Sequence, residues 1–202
     1  MQTQAKTRML VEGALMLALG IALSFVVPFR FLPFGGSITL VSMLPICLFS
    51  NKYGILPGFG VSFLFSLFQL AQGIFVEGLL GWGLTPGILI ACILLDYILA
   101  YTVLGIAGLW RKRGVTGWLC GTIFALFLRF VSHFLSGAFL FASVGKIWDE
   151  LDFIASNKYI YSAVYNGSYM LPEIILTAIA AVILFEIPQV RRLIEGKGDV
   201  QQ

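Results

Sequence analysis

The sequence predicts an all-α integral membrane protein, a six-transmembrane-helix bundle forming one membrane domain over residues 1–202. Three observations predict it. Hydrophobic residues make up 59% of the 202 and charged residues only 11%, with a mean hydropathy of +0.94, a balance foreign to soluble domains. The apolar residues run in long blocks separated by short polar breaks. The basic residues collect at one set of block ends, although the net charge is only +3.

Hydropathy places the spans at 9–27, 37–49, 53–74, 86–109, 115–143 and 158–187. The first begins in "MQTQAKTRMLVEGALMLALGIALSFVVPF". Its apolar run exceeds a signal peptide's h-region and no small-x-small cleavage site closes it, so it is expected to be retained. The second is short against the ~20 residues a spanning helix needs, and is expected to be tilted, irregular or partly interfacial. Lys6, Arg8, Lys52, Arg111, Lys112, Arg113, Arg191, Arg192 and Lys197 mark one side of the bundle, against Arg30, Lys146 and Lys158 on the other. The positive-inside rule then puts both termini in the cytoplasm and the 28–36, 75–85 and 144–158 loops outside, in a plasma-membrane protein.

Several functions are excluded by what is missing. There is no GxxxxGK[ST] phosphate loop and no HExxH or Cys/His cluster for a metal. Cys47, Cys92 and Cys120 stand singly in apolar segments and read as small core hydrophobes. In "VSHFLSG" the serine adjacent to His133 points elsewhere on a helix, so no triad forms locally. Basic patches are short and lie beside the membrane, which argues against nucleic acid.

Ionisable side chains inside a bilayer are costly and normally face a cavity or a partner. Asp96, Arg129, His133 and Glu173 are such groups, with Asn166 and Tyr161 as uncharged company. Counted from the outer span ends at ~1.5 Å per residue, Asp96 and His133 lie ~15 Å deep, Asn166 ~12 Å and Tyr161 ~5 Å. Three helices therefore bring an acid, an imidazole, an amide and a phenol to one outward-facing level, enough to orient a small polar or cationic ligand. Arg129 and Glu173 lie deeper, at ~21 and ~22 Å, and are expected to form a buried ion pair beneath that site. Plainer roles stay open: Asp96 satisfying Tyr97 or nearby backbone, His133 as interhelical glue, Asn166 as local packing. Ala14, Ala18 and Ala22 recur every four residues, a small-residue stripe that lets a helix approach, within the bundle or from outside. The outer loop "VGKIWDELDFIASNK" is amphipathic and reads equally as a lid or a connector.

Four stretches in series, "GGSITLVSMLPICLFSNKYG", "LLDYILAYTVLGIAGLWRK", "LRFVSHFLSGAFLF" and "YIYSAVYNGSYMLPEIILTAI", resemble the thiamine-specific substrate-binding subunits of energy-coupling factor (ECF) transporters over nearly the whole chain. The resemblance implies the ECF S-component fold, with a vitamin site open to the outside, thiamine as ligand, no cofactor and no catalysis. It implies ligand contacts at Asp96, with Tyr97 beside it, and at His133, Tyr161 and Asn166. Some members carry a tryptophan where Phe141 stands, so Phe141 is expected to stack on the pyrimidine, with Trp82 or Phe34 available to cover the thiazolium. Some also carry an acid near the start of the second helix, where this chain has Leu40 or a close neighbour. Ala14, Ala18 and Ala22 would face a transmembrane coupling subunit that recruits two ATPase subunits. The competing readings are a subunit for a precursor such as hydroxymethylpyrimidine, an intramembrane enzyme using Asp96 and His133 as acid and base, and a self-sufficient secondary carrier.

Overall fold

Residues 2–27, 29–30, 36–148 and 153–194 are described by a computed structural model, in which nearly every element is helical. Helix α1 (Gln2–Ser24) turns Gly13, Gly20 and Ser24 inward and leaves Ala14, Ala18 and Ala22 on its outward face. Two short strands follow, β1 (Phe29–Arg30) and β2 (Ser37–Ile38), antiparallel with Phe29 opposite Ile38. The next helix, α2, covers Leu44–Tyr53. The span expected at 37–49 is thus displaced. Its first residues are strand, Val41 breaks the path at φ +48°, and Pro45 in the first turn sets the helix start. At 10 residues, α2 is ~15 Å long, half a bilayer. Ile46 and Cys47 on it are fully buried, so α2 is a core helix wrapped by longer ones.

Gly54 joins α2 to α3 (Ile55–Phe75) in a single residue at φ +98°, where any side chain would be strained. After a short 3₁₀ turn at Leu79–Gly81, α4 (Pro86–Cys92) passes into a wider π-helical stretch at Ile93–Leu99. The chain continues through α5 (Ala100–Thr102) and a 3₁₀ run at Val103–Arg113. At Gly114 (φ +63°, ψ −150°) it reverses into α6 (Gly114–Ser136), which ends in a second π-type turn at Gly137–Phe141. Strands β3 (Gly145–Lys146) and β4 (Ile154–Ala155) pair antiparallel. Helix α7 (Lys158–Glu186) starts at Asn157, whose side chain accepts from the backbone N–H of Tyr159 and Ile160, both at 3.0 Å. A short α8 (Pro188–Ile194) follows.

Among the described residues, four apolar helical stretches are long enough to cross a membrane: Thr3–Ser24, Ile55–Phe75, Pro86–Phe141 and Lys158–Glu186. The third is folded double at Gly114. Its two arms lie against each other because Gly117 and Gly121 offer bare backbone: a Cβ there would come within 2.1 Å of Trp110 O and 2.0 Å of Ala107 O. Gly58, Gly105 and Gly108 do the same between α2, α3 and the 3₁₀ run. There Ser50 Oγ donates to Gly105 O at 2.5 Å and accepts from Gly108 N at 3.0 Å. Met43, Ile46, Cys47, Phe65, Leu104, Ala125 and Leu126 fill the centre of this packing. Cys120, expected in the core, faces outward on α6 because its neighbours Gly117 and Gly121 occupy the contact face.

A candidate ligand-binding site

Above this core, at the end where the strand pairs lie, the helices part around one cavity. The π-helical stretch brings Asp96 and Tyr97 to its wall, since the extra residue per turn re-aims side chains that a regular helix would carry past. From α6 come Arg129, His133 and Ser136; from α7 come Tyr161, Tyr165, Asn166, Tyr169 and Glu173. Three donors converge on Asp96. His133 Nδ1 lies 2.8 Å from Oδ1, Ser136 Oγ makes a short bond to Oδ2, and Cys92 Sγ donates to Oδ2 at 3.3 Å. With the carboxylate accepting, Nδ1 carries the ring proton, and Nε2 is left buried without a partner among the described residues.

Asn166 is committed to the protein. Its amide nitrogen donates to His133 O at 3.2 Å and Ser162 O at 2.9 Å, and its oxygen accepts from Tyr169 OH at 2.8 Å. It therefore ties α6 to α7 directly behind His133. The ring of Tyr169 meets His133 edge-on at 6.1 Å, and Tyr161 and Tyr165 stack in parallel at 6.2 Å. Towards the mouth, the rings of Trp82 and Phe141 pack at a tilt of 58° with their centroids 6.4 Å apart. Glu77 sits with them: its backbone oxygen accepts from Trp82 Nε1 at 3.2 Å and its carboxylate from Tyr97 OH at 3.4 Å.

The expected ion pair is not made. Both Arg129 and Glu173 line the floor of the cavity and are more than nine-tenths buried, yet each has taken a neutral partner. Arg129 donates to Tyr101 OH at 2.9 Å and Met170 Sδ at 3.0 Å, with its guanidinium 4.5 Å from the centre of the Tyr101 ring. Glu173 accepts from Thr39 N and Thr39 Oγ1, both at 2.7 Å. Equal depth put the two charges on one level, but a hydrogen-bonded backbone N–H after β2 was within reach of Glu173 and the guanidinium was not. An acid near the start of the second helix is thus absent from the sequence at Leu40, while Glu173 delivers a carboxylate to that neighbourhood from α7.

The thiamine transporter protein family (Thia_YuaJ) matches residues 10–191. This chain belongs to that family. It is similar to the thiamine transporter ThiT of Bacillus subtilis (strain 168), 32% identical over 190 residues that cover 87% of this chain and 89% of that protein. Its fold is that of a solved structure of ThiT from Listeria monocytogenes, with a TM-score of 0.68 and 19% identity over 94% of this chain and 98% of that one.

Among the residues singled out in this thiamine-transporter family chain, Asp96, Tyr97, His133, Phe141, Tyr161, Asn166, Arg129, Glu173 and Trp82 all line one cavity. Ala14, Ala18 and Ala22 lie apart from it, on the outward face of α1. Phe34 lies outside the described residues. Glu77, Gln69, Tyr101 and Tyr165 also line the cavity and were missed. Glu77 sits in the glycine-rich 75–85 stretch, which reads as an outer loop, and Gln69 carries no charge to flag it. Among the described residues no three His, Cys, Asp or Glu side chains are grouped to hold a metal.

Proposed function

We propose that this chain is the thiamine-capturing S subunit of an ECF importer, a six-span bundle with both termini in the cytoplasm and the cavity open to the outside. One observation carries the proposal. A carboxylate–imidazole pair, a second carboxylate and a ring of aromatic side chains converge on a single cavity in a member of the thiamine transporter family. Thiamine joins an aminopyrimidine, with hydrogen-bonding edges, to a thiazolium bearing a fixed positive charge. Aromatic faces and carboxylates attract such a cation strongly when water is excluded. Trp82, Phe141 and Glu77 at the mouth supply that combination for the thiazolium. Asp96, His133 and the stacked Tyr161 and Tyr165 supply polar edges and a flat face for the pyrimidine.

Capture needs no covalent step, and the geometry serves positioning. Ser136 donates to Asp96 and Ser132 to Leu95 O at 2.6 Å, so neither serine is presented to His133 as a nucleophile. The two strand pairs bear on the same end. Ile38, Ile147 and Trp148 pack on Tyr161, Tyr165 and Tyr169, so movement of either hairpin is transmitted to the cavity wall. The stripe Ala14–Ala18–Ala22 is turned to the surrounding lipid, where a coupling subunit that recruits two ATPase subunits can approach closely. Energy for release inside then comes from those partners.

The test is equilibrium binding to the purified chain, read by tryptophan fluorescence, with mass spectrometry of the ligand recovered from it. Thiamine recovered unchanged and bound more tightly than free hydroxymethylpyrimidine is the expected result. The reverse order of affinities would replace thiamine by the precursor, and turnover of the ligand would replace capture by catalysis.

A further inference from the structure

Among the described residues, Gln69 is a buried amide of the cavity wall with nothing to bind. Gln69, on α3, lines the cavity and is more than nine-tenths buried. Among the described residues its carboxamide makes no hydrogen bond, and its nitrogen is sealed from the surface without a partner. Its neighbours differ: Gln72 is clasped to α1, accepting from Ser24 Oγ at 3.0 Å and donating to Ser24 O at 3.3 Å. One turn along from Gln69, Gly73 is bare backbone against the Tyr97 ring, so this face of α3 adjoins the wall that carries Asp96. A buried amide with no partner costs about 1–3 kcal/mol, and a site retains such a group when a ligand completes it.

We propose that Gln69 is a further ligand-contacting residue, reading the edge of the aminopyrimidine at which an amino N–H stands beside a ring nitrogen. A carboxamide presents a donor beside an acceptor in the same plane, the match by which Gln and Asn read the corresponding edge of adenine in two parallel hydrogen bonds. Asn166 has the same chemistry, but its amide is spent on Ser162, His133 O and Tyr169 OH. The amide left without partners among the described residues is the one on α3. The inference rests on the cavity being a thiamine site.

Gln69→Met keeps the volume and removes both hydrogen bonds. It is expected to weaken thiamine about tenfold to a hundredfold, and to weaken the free hydroxymethylpyrimidine by the same factor, because the contact lies in the shared half. In the ligand-free protein the same variant should melt no lower than wild type, since an unpartnered amide is exchanged for an apolar chain. A loss of affinity without a loss of stability is what a purely structural glutamine would not give. Gln69→Glu, which accepts but no longer donates to the ring nitrogen, serves as the second variant should the first fail to fold, and should also weaken both probes. Thiamine affinity within twofold of wild type in a folded variant, or a loss for thiamine with the pyrimidine unaffected, overturns the assignment. Wild-type protein that binds neither probe overturns the site reading itself, and the role of Gln69 with it.

Discussion

At the scale of single residues, ionisable groups in apolar sequence were the legible signal. A carboxylate or imidazole in a helix destined for lipid has few tolerable surroundings, so Asp96 and His133 could be placed at one level by counting alone. Their direct contact could not be counted, because depth says nothing about which way a helix is rotated. The same gap produced the expectation of an Arg129–Glu173 pair. Asp96→Asn is expected to weaken thiamine binding about tenfold or more, since it exchanges the acceptor of three donors for a neutral amide; isothermal titration of the folded variant measures it. Asn166→Ala acts differently. It strips partners from Tyr169 OH and His133 O, so a drop of about 1–3 kcal/mol in unfolding free energy should accompany any loss of affinity. Thr39→Val and Glu173→Gln should be non-additive in thermal unfolding because both alter the bond from Thr39 Oγ1 to Glu173, while the backbone N–H of residue 39 survives the first substitution. Additive effects would mean that the contact carries no coupling.

At the scale of elements, hydropathy located the long helices and misjudged α2. A window average cannot tell a buried helix of 10 residues preceded by a strand from a short span, because both are uniformly apolar. Nor did the sequence announce the π-helical stretch at Ile93–Leu99. Its residues are ordinary helix formers, and the distortion is set by what packs on both sides. Close helix contact, by contrast, follows directly from glycine. A Cβ on Gly105 would lie 2.6 Å from Phe59 N, so Gly105→Val should cost about 1–3 kcal/mol through forced separation of α3 from the 3₁₀ run. Lowered yield and melting temperature in detergent would register it. The stripe on α1 permits the opposite experiment. Ala18→Trp should leave thiamine affinity of the isolated chain unchanged and abolish uptake in cells supplying the coupling and ATPase subunits. Unimpaired uptake would remove that face from the proposed interface.

At the scale of the molecule, the 202 residues hold no GxxxxGK[ST] phosphate loop, and the proposed function leaves energy supply to partner subunits. On the proposed reading, vesicles holding this chain alone should bind thiamine on their outer face yet accumulate none, with or without ATP. Accumulation driven by an ion gradient would instead establish a secondary carrier. What composition gave was the class of protein. What it withheld was the cavity wall, because most of that wall is tyrosine, serine and glutamine, residues that cost little in a helix and draw no attention.

The hairpin folded at Gly114 acts as a ruler. Asp96 stands 18 residues before that glycine and His133 stands 19 after it, so two arms of nearly equal length carry the acid and the imidazole to the same height from a hinge at the far end. A helix turns about 100° per residue. Inserting one residue into either arm would therefore swing one member of the pair out of the cavity while leaving composition, hydropathy and charge untouched.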